Sequence, residues 1–177
     1  MRSTLEAGGK PRSSRRRETV ILFFVARQMF AIAADSVQEI RSTDSLSGAA
    51  NEMDQSAVLK VRHTIERNRR TYFVVNAATH FNLPVTRPAL VLILRELRVA
   101  VLVDRIERMA EIPAVYALPQ AFSGPERHWY RGLTYVDDVV IPVIQPAGFL
   151  TLEEFQQLDR LENAAAAERH MPEAAQA

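Results

Sequence analysis

Short apolar runs separated by polar breaks dominate the chain from Val20 to Ile144. Runs at residues 20–25, 29–33, 37–41, 58–66, 71–75, 89–94, 97–103, 106–112, 129–136 and 139–144 are of strand length and rich in β-branched and aromatic side chains. Within 58–66, alternation places Val61, His63 and Ile65 on one face. Residues 42–57 are small and polar with no period, and read as a long loop. Helical spacing appears at the end of the chain. Thr151 precedes Glu153 and Glu154 as an N-cap precedes an acidic first turn, and Phe155, Leu158 and Leu161 recur every three residues. This predicts a helix from Thr151 to about His170, which either packs back on the body or offers a stripe to a partner.

The run pattern occurs twice. A gapless shift of 69 residues lays 20–25 on 89–94, 30–35 on 99–104, Val37 on Ile106 and 72–75 on 141–144. It also lays Asn68 and Arg69 on Asp137 and Asp138, each pair at a candidate two-residue hairpin turn where Asn and Asp tolerate positive φ. Apolar strands match by chance easily, but a shared offset over several elements is harder to obtain. The expectation is an all-β fold of two similar subdomains, about 18–83 and 88–150, each near five strands and followed by the C-terminal helix. So few strands avoid exposed edges by curling into a barrel, and two small barrels gain stability by sharing a core.

Composition adds limits. Of 177 residues, 47% are hydrophobic, as in ordinary globular proteins, and there is no cysteine, which removes disulfides and thiolate chemistry from consideration. No apolar run is long enough to span a bilayer, and the polar, basic N-terminus does not look like a secretory signal, so the cytoplasm is the expected compartment. The net charge of +1 is unevenly spread. Residues 1–17 carry six basic side chains against Glu6, leaving 16 basic and 20 acidic residues in the remainder. Residues 1–18 therefore read as a disordered basic arm on a mildly acidic body.

Catalysis requires converging titratable groups. His63, His80, His128 and His170 lie in separate elements without metal-ligand spacing, and neither a glycine-rich phosphate loop nor a G-x-S-x-G elbow is present. Asp137 and Asp138 are explained by a turn. Asp104, at the end of an apolar run, has a counterpart at Asp35 one repeat earlier, which favours turn capping or pairing with Arg105 or Arg108 over catalysis. No enzyme activity, metal or cofactor is expected. A β-barrel nucleic-acid binder with a basic arm is the alternative, weakened by the acidic body and by aromatics that sit mostly inside apolar runs.

Three blocks over residues 19–150 then resemble the CheW-like domain family. The first is the opening hairpin, Val20 to Ile32, continuing into Val37-Gln-Glu-Ile40 in the manner of the family's V-x-E-I strand. The second runs from Ala89 to Leu94 and, after a turn, from Val99 to Asp104 with Ile106 following. The third is the closing hairpin, Trp129 to Ile144. One stretch departs from the pattern. Where the family carries N-L-R-G followed by P-V-x-D, this chain reads from Ile65 to Asn76, with Asn68 standing for the turn glycine and Arg67 or Arg69 for the basic residue. The resemblance implies two five-stranded SH3-like barrels side by side in a non-catalytic adaptor. It implies a CheA-type histidine kinase, bound through its regulatory domain, and a chemoreceptor cytoplasmic tip as partners, without membrane insertion. It places the receptor side near Val37, Glu39, Arg67 and Arg69.

Overall fold

In the computed structural model, residues 17–46, 50–53 and 58–169 are described. Eleven strands run β1 Glu18–Val25, β2 Gln28–Ala33, β3 Val37–Ser42, β4 Ala50–Glu52, β5 Val61–Arg67, β6 Arg70–Asn76, β7 Leu90–Leu94, β8 Val99–Val103, β9 Arg105–Ile112, β10 Tyr130–Val136 and β11 Val139–Ile144. Three helices join them: α1 Ala77–His80, α2 Glu126–Trp129 and α3 Leu152–Arg169. Each predicted run contains a strand. The sheet order is β10-β11-β2-β1-β9 for one sheet and β3-β7-β8-β6-β5-β4 for the other. The first, here the terminal barrel, is built from both ends of the chain. The second, the central barrel, comes from the middle.

This corrects the expected division into 18–83 and 88–150. The opening hairpin of each half leaves its own half: β1 pairs with β9 and β2 with β11, while β7 pairs with β3 and β8 with β6. Hairpin pairing is local and visible in a sequence. Which copy receives a hairpin is a long-range choice between equivalent apolar edges, and spacing does not encode it. A second correction is β4, a three-residue strand inside the stretch read as a loop, which gives the central barrel six strands.

The repeat itself is present down to its irregularities. The parallel pair Val74–Ala100 corresponds at a shift of 69 to Ala31–Val143. The register shift between Val61 and His63 in β5 recurs between Tyr130 and Gly132 in β10. That in β3 between Val37 and Glu39 recurs between Ile106 and Arg108 in β9. Positive φ occurs at Asn68, Arg69, Asp137 and Asp138, as the two-residue turns require. It also occurs at Ala26 and Arg27, residues that dislike it, where the Ala26 amide donates to the Asp104 carboxylate at 2.8 Å. Asp104 thus caps the first hairpin. Its counterpart Asp35 supports the β7–β8 turn through its backbone instead, its carbonyl accepting from Arg95 Nε at 2.9 Å.

Three cores follow from the alternation. Val20, Leu22, Ala31, Ile112, Ile141 and Val143 fill the terminal barrel. Leu46, Ile65, Tyr72, Val74, Val91, Ile93 and Ala100 fill the central one. Between the barrels lies a larger shared core that takes the opposite faces of the same strands, including Ile21, Phe23, Phe30, Ile32, Phe73, Leu92, Leu94 and Val101. Strands buried on both faces read as unbroken apolar runs, which is why residues 20–25 and 89–94 show no alternation. The bulge at Arg62 overturns the single face expected for Val61, His63 and Ile65: Val61 enters the shared core and Ile65 the central one.

Helix α3 starts as expected. Thr151 Oγ1 accepts from the Glu154 amide at 3.1 Å while Glu154 Oε2 accepts from the Thr151 amide at 2.8 Å, a reciprocal capping box. The helix packs back on the body. Leu158 is fully buried in the shared core, and Phe155 meets Phe73 edge-on at 5.5 Å. Arg98 bonds Asp159 at 2.6 Å and lies over both rings, and Lys60 reaches Glu154 at 2.9 Å. At the basic arm's end, Glu18 already belongs to β1 and pairs with Arg131 at 2.6 Å. Residues 1–16 and 170–177 lie outside the described residues.

Candidate interaction surfaces

The described residues do not converge on a chemical centre. Among them, no group of three or more His, Asp or Glu is placed to hold a metal. The most perturbed titratable group is His80, whose environment is that of a core side chain. Burial, with Lys60 Nζ 3.4 Å from Nδ1, pushes its pKa down to about 3, so the ring is neutral. It is enclosed by Phe81, Trp129 and Phe149 with ring centres 4.8–5.1 Å away. Tyr130, beside this cluster, has its pKa raised to about 12 by burial and by Glu126. Both shifts favour the uncharged form, as burial among aromatic rings dictates.

The four residues expected at the receptor side separate into two kinds. Val37 is 8% exposed and belongs to the shared core, so it supports the surface without forming it. Glu39, two residues on along β3, pairs with Arg67 at the end of β5 and with Arg41 at 3.5 Å. In the sheet order β3 and β5 lie near opposite ends, so the Glu39–Arg67 pair draws the seam of the central barrel together. Arg69 projects from the β5–β6 turn with positive φ and is exposed. Ile40, exposed on β3 beside Glu39, adds an apolar element to this face. Asn76, at the end of the altered stretch, caps α1, its Oδ1 accepting from the Thr79 amide at 3.2 Å.

The terminal barrel has a seam at the same place with the signs reversed. Arg108, one repeat from Glu39, meets Asp137 at 2.5 Å at the tip of the β10–β11 hairpin. Behind that tip lies a surface the sequence reading missed. Tyr135 and Val140 are cross-strand partners, and Tyr116 packs edge-on against Tyr135 at 5.7 Å. All three are about half exposed, at 53%, 48% and 52%. Tyr116 is held there by two backbone bonds to Leu133, at 2.8 and 2.9 Å, which close the barrel. The approach needs glycine at position 132, because a Cβ there would lie 2.2 Å from the Tyr116 carbonyl. In the central barrel the matching cross-strand pair is Glu66 and Thr71. The signal for the patch was present in the repeat: laying Tyr135 on Glu66 and Val140 on Thr71 exposes an apolar pair where the twin module is polar. Nothing pointed to Tyr116, which lies outside the predicted runs.

Two fused barrels, with a neutral His80 packed among aromatic rings and an apolar outer face, define a protein that works through surfaces. Residues 19–154 match the family model of the CheW-like domain. The chain belongs to the CheW-like family, and its expected role, a scaffold without catalytic activity, is the role that membership supports. Among solved structures, that of the scaffolding protein TtCheW from Thermoanaerobacter tengcongensis is similar in fold, with a TM-score of 0.64 at 13% identity over 77% of this chain and 94% of the other. No curated protein matches the sequence significantly.

Proposed function

We propose that this chain couples a CheA-type histidine kinase to chemoreceptors in a chemotaxis-like or motility array, and works in the cytoplasm. The observation that carries the reading is the family match over residues 19–154, on a fold whose cores are filled and whose distinctive residues lie outside. Each barrel offers a different chemistry, which suits a protein with two partners. The apolar Tyr116, Tyr135 and Val140 face is the one we assign to the kinase's regulatory domain, since exposed aromatic side chains supply most of the energy in protein interfaces. The seam of the central barrel, with Glu39, Arg67 and Arg69 beside exposed Ile40, is the one we assign to the receptor's helical tip. Val37 buttresses that strand from within. Among the described residues no helix is long and apolar enough to cross a membrane, so membrane association would come through the receptor.

The test is co-sedimentation of the kinase with receptor-containing membranes, with and without this protein. Kinase should pellet in its presence and stay in solution without it, and deleting residues 1–18 should leave recruitment intact because the contacts lie on the barrels. Equal pelleting in both conditions would reject the role.

A further inference from the structure

Four strand pairs cross the midpoint of the chain: β1–β9, β2–β11, β3–β7 and β6–β8. Among the described residues, only β1–β2, β4–β5 and β5–β6 are paired within the first half, and only β7–β8 and β10–β11 within the second. Separated from its twin, each half would be a set of hairpins with apolar strands and open edges on both sides. Together they form both barrels and all three cores. Neither barrel belongs to one half, so neither half has a complete core of its own.

The link between the halves is slight by comparison. Residues 83–89 have no regular structure, contain Pro84 and Pro88, which cannot donate a ladder bond, and leave Val85 91% exposed. The link is moored at its two ends, by the Leu83 amide to the Ala78 carbonyl at 2.8 Å and the Ala89 amide to the Val103 carbonyl at 3.1 Å.

We infer that the two halves are obligate partners of one another, exchanging their opening hairpins, and that residues 83–89 are a tether the assembled domain does not need. The chain behaves as a heterodimer of two 69-residue-repeat modules whose subunits happen to be covalently joined. The tether raises the effective concentration of one half for the other, and its own contacts are confined to its ends, where Leu83 packs against the shared core and the Pro88 carbonyl accepts from Thr43 Oγ1 at 3.3 Å. Residues around Val85 then form a site where the chain can be opened or extended without loss of fold.

The experiment inserts a site-specific protease sequence between Val85 and Thr86 of the full chain and compares the protein before and after cutting. Before cutting, the variant should match the parent in circular dichroism and melt once. After cutting, both pieces should elute together at the size of the intact chain and melt in a single transition. The midpoint of that transition should shift upward as concentration is raised, as mass action requires when folding joins two chains. Three results would overturn the inference: failure of the uncut insertion variant to fold, separation of the pieces on the column, or a midpoint of the cut protein independent of concentration. The last would mean that the halves fold as separate bodies.

Discussion

The terminal and central barrels share a template and differ in what they show to solvent. Four interior positions correspond at the repeat shift: Leu22 with Val91, Ala31 with Ala100, Ile141 with Tyr72 and Val143 with Val74. Their bulges and hairpin turns fall at the same repeat positions. The outer face of the closing hairpin does not correspond. It carries Tyr135 and Val140 on the terminal barrel, and Glu66 and Thr71 on the central one. Each seam has an ion pair with the signs exchanged, Glu39–Arg67 against Arg108–Asp137; Glu39 and Arg108 share a repeat position, while Asp137 lies one residue past the position of Arg67. Packing has held the inside of both modules to one solution, and the surfaces, free of that constraint, have become distinct.

If the modules are mechanically one body, the largest effect should come from the core they share. Phe30 stacks on Phe81 at 4.6 Å and on Phe23 at 5.8 Å, and is 1% exposed. Phe30→Ala should cost about 3–5 kcal/mol in urea unfolding and still give one transition. Two resolved transitions would show that the barrels are independent.

Acid should strain the same junction. His80 is neutral when folded with a pKa of about 3, against 6.5 when unfolded, so below pH 6.5 the unfolded chain binds the extra proton. The stability this group contributes is therefore complete above pH 6.5 and is lost as pH falls toward 3. The loss approaches about 1.4 kcal/mol per pH unit from this residue. Lys60, Phe81, Trp129 and Phe149 face the ring, with Glu154 behind Lys60. His80→Leu should flatten the dependence in pH-stepped denaturation, and an unchanged slope would remove His80 as its source.

Smaller effects sharpen the contrast between the modules. Thr151→Ala removes one arm of the capping box and should destabilise by about 1 kcal/mol in chemical denaturation, loosening α3 from the central barrel's Phe73 and Arg98. At the seams, Glu39→Gln should cost no more than about 1 kcal/mol, because the pair is only partly sheltered. Asp137→Asn, at an 81% exposed carboxylate, should change stability undetectably. Equal losses at the two seams would contradict the difference in shelter.

The strands and the repeat were legible because a buried strand must be apolar and a two-residue hairpin must accept positive φ, as Asn68 and Asp137 show. The helix start at Thr151 was legible because capping is local. Strand exchange between halves was not, since β9 and β3 are equally suitable neighbours for β1 as judged by pattern. Strand β4 was hidden because its pairing with β5 is made by the backbone, in a stretch with no apolar period. Of the expected site, Glu39, Arg67 and Arg69 do lie on the surface, whereas Val37, whose strand begins beside the shared core, does not. A strand's first residue reads the same from sequence whether it faces a partner or its own core.

The division of labour between the two outer faces can be measured directly by titrating a CheA-type regulatory domain into the parent protein and two variants. Tyr135→Glu combined with Val140→Glu puts charge on the apolar face, and Glu66→Lys combined with Thr71→Lys alters the twin position on the central barrel. A division of labour between the faces predicts at least a tenfold loss of affinity for the first variant, with its fold intact, and parental affinity for the second. Parental affinity in the first variant, or a loss confined to the second, would contradict it.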